Sequence, residues 1–406
     1  MMSIKAYKYR LDAKTATTDK LQWVLDRTRE LYNAALAERK EAWRMCGTSI
    51  DYYDQQRDLV EIKEIIRPEY QDIASHVLQD VIKRVKRTYD DFFRRVKNGE
   101  KPGYPRFKGR NQYDSFTYPD HAGWKFTVEE QDVQGKHKLT GRLSLSKLGT
   151  LKVILHRKLE GMIKTLTIKR EGEHWYCVFT CEVETEKLPV SYDDVGIDLG
   201  VTHFAALSNG AFIDHPRYFR RAKKKLAKAQ QALSRKQRGS HRRAKVVKRV
   251  AKQHRTIRNQ RRDFQHKESR KLVNQYQVIV FEDLQVKNLT RAPAPKQDEQ
   301  GNYLPNGAAA KAGLNKSILD AGWSTFTEMV SVKAASAGRT VLFVNPFMSS
   351  QLCSGCGTVI KKDLSERWHS CPCGTALDRD TNAAINILHA GYKQLSGGTR
   401  PTSATA

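Results

Sequence analysis

Nowhere in the 406 residues does an apolar run approach the roughly 18–20 needed to span a bilayer. The opening stretch, MMSIKAYKYRLDAKT, also lacks the apolar core of a secretory signal. Neither a membrane protein nor a secreted one is expected. Acids are scarce too: 44 Asp and Glu stand against 72 Lys and Arg, a formal net charge of +28 with a pI near 9.8. That imbalance exceeds what solubility asks for and points to a polyanion, with nucleic acid favoured over a membrane. Cysteines are few and odd in number. Seven are present, four of them within 21 residues near the C-terminus, while Cys46, Cys177 and Cys181 stand apart. A disulfide scaffold is excluded; a reducing, cytosolic compartment with a metal-binding cluster is expected.

At 406 residues the chain is long enough for two or three domains and at least one large core, and with 39% hydrophobic residues it is expected to fold. Residues 4–11, IKAYKYRL, alternate as a strand does. Leu21, Val24, Leu25, Thr28, Leu31, Tyr32, Ala35 and Leu36 then recur at helix spacing until Gly47. After a shorter helical stretch at 48–67, a second long helix is expected over about 71–97. Its stripe is Ile73, Val77, Val81, Ile82, Val85, Tyr89, Phe92, Phe93 and Val96. Prolines and glycines in NGEKPGYPRFKGRNQ (98–112) break that pattern, and from there to 188 the period is two. A β-rich module over 103–188, joined by the strand at 4–11, would thus carry the helices as an insertion.

After 190 the character changes again. VGIDLGVTHFAAL reads as strand, turn and strand. Arg217–Arg262 then hold 20 Lys or Arg and no acid in 46 residues, as a helical hairpin broken at Gly239-Ser240. A solvated face usually mixes signs, whereas like charges on this scale call for phosphates. Arg220, Arg221, Lys224, Arg242 and Arg243 are the candidate contacts. NQYQVIVFEDL (274–284) reads as a buried strand, and 291–313 as a mobile loop, either a passive linker or a lid. A helix (317–337), a strand (339–346), the cysteine cluster, a terminal helix from Asp378 and a disordered tail complete the chain.

Three acids stand in or beside segments that otherwise read as core. Asp198 lies in a mostly apolar strand, where an unmatched carboxylate would cost several kcal/mol. Glu282 follows VIVF, and Asp380 precedes TNAAINIL. Singly, Asp380 could cap its helix and Glu282 could pair with an arginine. As a set in so basic a chain, they suit hard divalent cations such as a pair of Mg²⁺ ions, the arrangement that cleaves phosphodiesters. Asp283 and Asp378 are rivals for two of these roles, and Asp193 and Asp194 read as a solvated turn. The cysteines run CSGC (353–356), then CPCG (371–374), the ligand pattern of a structural Zn²⁺ ribbon through Cys353, Cys356, Cys371 and Cys373. The second pair is a short C-x-C, which leaves His369 as an alternative ligand.

GIDLGVTHFAALSNG, VIVFEDL, SSQLCSGCG…CPCG and LDRDTNAAINIL, in this order, resemble the nuclease of the TnpB family, which is similar to compact type V CRISPR nucleases. LYNAALAERKEAW, YPRFKGR, SLSKLGTLKV and AKAQQALSRKQRGSHRR extend the resemblance over nearly the whole chain. It implies an α/β plus β-barrel fold. An RNase H-like RuvC nuclease domain (191–348 and 377–390) would carry a zinc-ribbon insertion (349–376). A wedge-type β-barrel (1–12 and 103–190) would hold an inserted helical recognition lobe (13–102), and 391–406 would be a disordered tail. It implies an Mg²⁺-dependent endonuclease, prokaryotic, cytoplasmic and nucleoid-associated, monomeric with its RNA. The guide RNA would come from the right end of its own insertion sequence, and the target would be double-stranded DNA beside a short transposon-adjacent motif. Asp198, Glu282 and Asp380 match the catalytic acids, and the four cysteines match the zinc ligands. Tyr52, Tyr53, Ser75, His76 and Gln79 are candidates for reading the motif, although the tyrosines equally suit a core and Gln79 a plain surface. An RNA-guided regulator that binds without cutting is the alternative.

Overall fold

The alternating segment at the N-terminus forms β1 (Met2–Asp12), and the apolar stripe after it forms one 32-residue helix, α1 (Thr15–Cys46). All eight residues of the stripe, Leu21 to Leu36, are buried. These elements belong to a computed structural model that describes residues 2–13, 15–133, 136–363 and 365–397. Next come α2 (Tyr52–Glu61), capped by Asp51, and α3 (Ser75–Lys97). A π-helical turn at Ile62–Ile66 and a 3-10 turn at Pro68–Asp72 link the two. The stripe of α3 is buried only through Val85, and Phe93 and Val96 at its far end are exposed.

Six strands follow: β2 (Ser115–Tyr118), β3 (Trp124–Val133), β4 (Lys136–Leu145), β5 (Gly149–Ile154), β6 (Met162–Glu171) and β7 (His174–Glu184). With β1 they build an antiparallel sheet of order β2-β6-β7-β1-β5-β4-β3. β1 sits at its centre, paired with β7 on one side and β5 on the other. The sheet curls into a half-barrel with β2 and β3 as its edges, where a barrel is expected from sequence. The helices α1 to α3 enter between β1 and β2, and their buried faces share one core with Tyr9, Phe116, Val153 and Phe179 of the sheet. The chain divides between Glu184 and Thr185, and these elements form one unit.

The second unit contains β8 (Asp194–Asp198), β9 (His203–Leu207), β10 (Phe212–Asp214), α4 (Tyr218–Ser234), α5 (His241–Gln275) and β11 (Val278–Glu282). The short α6 (Val286–Leu289) and the strands β12 (Lys296–Gln297) and β13 (Tyr303–Leu304) follow. Then come α7 (Ala308–Ala321), α8 (Trp323–Ala337), β14 (Thr340–Val344), β15 (Trp368–Ser370), β16 (Ala376–Asp378) and α9 (Arg379–Ser396). Five strands make one sheet, ordered β10-β9-β8-β11-β14, with β8, β11 and β14 parallel. Strand parity splits its residues between two faces. Val195, Ile197, Ile279 and Phe281 join a core with Phe326 and Val330 of α8 and Leu272 and Val273 of α5. On the other face, Val280 and Leu342 pack with Ile387 of α9. Two glycines let α9 come this close. A Cβ on Gly196 would stand 2.1 Å from the Ala384 carbonyl oxygen, and one on Gly391 would stand 2.5 Å from Val280.

Three expectations are corrected here. The helix expected over 317–337 is two helices, because Gly322 adopts φ +67° and ends α7 while α8 begins. The loop at 291–313 contains the β12–β13 hairpin, folded around Asp298, and the first turn of α7. The terminal helix runs to Ser396, so 391–396 belongs to it and not to a disordered tail, held by Gly391 against Val280 and by Tyr392 Oη donating to Asp194 at 3.0 Å. The rest of the expected tail, 398–406, lies outside the described residues. Among the described residues no helix is long and apolar enough to cross a membrane.

Candidate active site and metal centre

Parity and register place the first two acids. Ile197 pairs with Phe281 in the parallel ladder, so Asp198 and Glu282 are the next residues on neighbouring strands. Each is the last residue of its strand, and each falls on the α9 face, opposite in parity to Ile197 and Phe281. Asp198 therefore does not sit within a buried strand, as its apolar neighbours suggest. It stands half-buried at a strand end, directly after the buried Val195–Ile197. Asp380 lies in the first turn of α9. It does not cap that helix: Asp378 does, accepting from the Asp380 and Thr381 amides at 2.8 and 3.2 Å. With Asp378 so engaged, the Asp380 carboxylate is left for other work.

The electrostatics tie the three together. Burial, then the charges of Glu282 and Asp380, hold the Asp198 carboxyl well above the usual aspartate range. Among the described residues, no side chain hydrogen-bonds or ion-pairs with it. Burial likewise raises Glu282, against a hydrogen bond from Ser349 Oγ to its Oε1. Ser349 is itself fixed, its carbonyl accepting from Asn386 Nδ2 of α9 at 2.9 Å. Asp380 Oδ1 lies 3.7 Å from Arg379 Nε and 4.0 Å from an Arg367 nitrogen. The three carboxylates are not drawn within 4.8 Å of one another, as the cysteine sulfurs are. Two carboxyls pushed toward their protonated forms and a third beside them are a hard-oxygen donor set with charge left unmatched, which fits divalent cations.

The four cysteines form the second centre. Their sulfurs all lie within 4.8 Å of one another, with Cys353–Cys373 and Cys356–Cys371 both at 3.6 Å. A tetrahedron with Zn–S near ~2.3 Å has edges of about 3.8 Å, so the set fits zinc. Two tight turns produce it. The Gly357 amide donates to the Cys353 carbonyl at 2.9 Å, and the Gly374 amide to that of Cys371 at 3.0 Å. Gly374, at φ +94°, lets the short C-x-C pair close. Burial would push the Cys353 thiol up, but hydrogen bonds from the Cys356 backbone, His369 and Thr375 bring it down to about 5. His369 is fully buried and lies outside the group of four. Asn382 fastens the ribbon to α9, accepting from the Ser354 amide at 2.9 Å and donating to the Leu352 carbonyl at 2.7 Å.

Sequence reasoning missed Ser349, Asn382 and Asn386. The two asparagines sit at i and i+4 in TNAAIN, on one face of an otherwise apolar helix, and that spacing was the available signal. It also misjudged Asp194, read as part of a solvated turn. Asp194 Oδ1 accepts from the Val278 amide and Oδ2 from Tyr392, so it clips β11 and α9 to β8. Of the basic candidates, Arg220, Arg221, Lys224 and Arg242 are exposed. Arg243 instead donates to the Leu233 and Lys236 carbonyls at 2.9 and 3.3 Å and closes the turn after α4. In the first unit, Tyr53 is 68% exposed while Tyr52 packs against the core. Ser75, His76 and Gln79 fall in the first two turns of α3. Ser75 Oγ accepts from Lys63, and His76 Nδ1 lies 3.0 Å from Asp120.

A mixed sheet whose parallel strands β8 and β11 end in acids, with a four-cysteine ribbon before the last helix, defines a class of α/β proteins with candidate metal centres. Comparison narrows it. Residues 178–292 match the family described as "Probable transposase" (OrfB_IS605), and 323–387 match the "Cas12f1-like, TNB domain". Residues 1–47 match its "Helix-turn-helix domain", although here that segment is one strand and one unbroken helix. The chain is 32% identical to "Putative RNA-guided DNA endonuclease InsQ" of Escherichia coli K12, over 98% of this chain and 95% of that one. It is 33% identical to a "Putative RNA-guided DNA endonuclease" of Streptomyces pristinaespiralis, over 95% and 89%. The chain belongs to the TnpB family. In fold it resembles "the mini-RNA-guided endonuclease CRISPR-Cas_phi3", with a TM-score of 0.54 at 10% identity over 96% of this chain and 92% of that one.

Proposed function

We propose that this protein is an RNA-guided, Mg²⁺-dependent endonuclease that cuts double-stranded DNA beside a short transposon-adjacent motif. Its guide would be transcribed from the right end of its own insertion sequence. The observation that carries the nuclease is the pair Asp198 and Glu282 on neighbouring parallel strand ends, with Asp380 within electrostatic reach and, among the described residues, no side chain hydrogen-bonded or ion-paired to Asp198. The strand order β10-β9-β8-β11-β14 supports an RNase H-like, RuvC-type domain. The names of the full-length relatives support the guided part.

Asp198, Glu282 and Asp380 would hold two divalent ions, whose chemistry is to polarise the scissile phosphate and make water a better nucleophile. The chain's own share is positional. The neighbouring strand ends present two carboxylates, and Ser349 orients Glu282. Asp378 caps α9, so Asp380 does not have to. Cys353, Cys356, Cys371 and Cys373 would hold a structural zinc that, through Asn382, steadies the same helix. Base pairing of the guide would read the target, so the protein needs mainly backbone contacts, which the α4–α5 tract supplies. Tyr52, Tyr53, Ser75, His76 and Gln79 would read the adjacent motif from the helical insertion of a wedge-like half-barrel. The working species is a monomer with its RNA, in the cytoplasm at the nucleoid.

The guided reading is tested by co-expressing the chain with the DNA that flanks its gene and sequencing the RNA that purifies with it. One defined transcript from the element's right end is expected. A random sample of cellular RNA would overturn the reading.

A further inference from the structure

Two cavities in the second unit share one aromatic side chain in their walls. The first, about 460 Å³, is lined by Thr202, His215, Arg217, Arg220 and Lys223 among others. The second, about 440 Å³, is lined by His254, Ile257, Arg258 and Leu319 among others. Phe219, Lys316 and Asp320 belong to the walls of both. Each volume falls within the range of about 300–1,000 Å³ typical of small-molecule sites.

Three cations of this double cavity are unmatched. The side chains of Arg220, Lys223 and Lys316 make no hydrogen bond or ion pair among the described residues. The one carboxylate in the walls is already met: Asp320 Oδ1 accepts from Arg261 at 2.7 Å, and Oδ2 from the Phe219 amide at 3.2 Å. That second bond also anchors the backbone at Phe219. The residue before α4, Arg217, is left-handed at φ +51° and does not cap the helix with its own side chain; Asp320 does so through the Phe219 amide. The Phe219 ring is half-buried and, among the described residues, has no aromatic partner. An apolar ring shared by two cation-rimmed hollows suits a ligand that alternates flat bases with phosphates.

We propose that the paired cavities seat two consecutive nucleotides of an unpaired strand, with Phe219 between their bases and Arg220, Lys223 and Lys316 on the phosphates. The proposal rests only on the nucleic-acid-binding part of the functional reading, not on guided cleavage. Ribose and deoxyribose strands offer the same phosphates and bases, and the test separates them.

The experiment measures binding of the full chain to three labelled dodecamers, oligouridylate, oligothymidylate and an abasic strand of equal charge, over a range of salt. The wild type should hold the base-bearing strands more tightly than the abasic one, and whichever of the two is tighter names the strand. Phe219→Ala should weaken the base-bearing strands on the order of tenfold and leave the abasic strand unchanged. Phe219→Leu, which keeps apolar packing, should do the same while melting like the wild type. Lys223→Gln with Lys316→Gln should flatten the salt slope by about 1.4, two phosphates at ~0.7 each. Equal binding of abasic and base-bearing strands, or a normally melting Phe219→Leu with unaltered preference, overturns the proposal. Base-dependent binding by a chain that cuts nothing would instead retain it and reject the endonuclease.

Discussion

Asp198 concentrates the account at the scale of one residue. Its carboxyl is held above the ordinary range by burial first and by Glu282 and Asp380 next. For an acid raised in the folded state, the unfolded chain loses its proton first. Folding is therefore penalised as pH rises through the unfolded value toward the folded one, and the penalty persists above. Asp198→Asn should thus raise the Tm of the chelated protein at neutral pH, by roughly 2–4 °C per kcal/mol relieved. The gain should fade in acid, below the ordinary aspartate range, and shrink when Mg²⁺ is present. Thermal melts at two pH values, with and without the ion, check it; a lower Tm in the metal-free protein would contradict it. The oddity of Asp198 was legible in sequence because nearly everything around it is apolar. Asp194 was not, since its partners Val278 and Tyr392 lie far along the chain and only the fold brings them near. The local bonds of Arg243 were hidden for a similar reason: composition reports its charge but not the carbonyls to which it donates.

At the scale of elements, local pattern and local conformation decided what could be read. The α1 stripe was readable because burial of one helix face repeats every three or four residues. The break at Gly322 was hidden in a run of good helix formers, where one glycine could have been tolerated but instead turns left-handed. The cysteine knuckles were legible as spacing, while the closure of the short C-x-C pair needed the backbone of Gly374. If that pair binds zinc, Cys373→Ser should strip the metal from about one per chain toward none under mild chelation, and lower the Tm by more than about 5 °C. Metal analysis and a melt suffice, and unchanged metal content would exclude the four-cysteine site. The ribbon's link to α9 through Asn382 means that this loss should also slacken the helix that carries Asp380.

For the whole molecule, a charge of +28 and a carboxylate cluster pull in opposite directions unless nucleic acid and cations both belong to the working state. The basic hairpin, the double cavity around Phe219 and the acids at the strand ends all lie in one unit, so the proposed strand-binding and strand-cutting parts share a scaffold. The most direct test presents the chain, expressed with its own flanking DNA, with a plasmid library carrying a guide-matched target beside randomised bases. Asp198→Ala serves as the control. The account predicts depletion of plasmids bearing one short motif, lost with Asp198→Ala although the same RNA still purifies with the variant. Equal recovery of every plasmid with the wild type, or equal depletion by Asp198→Ala, would contradict it.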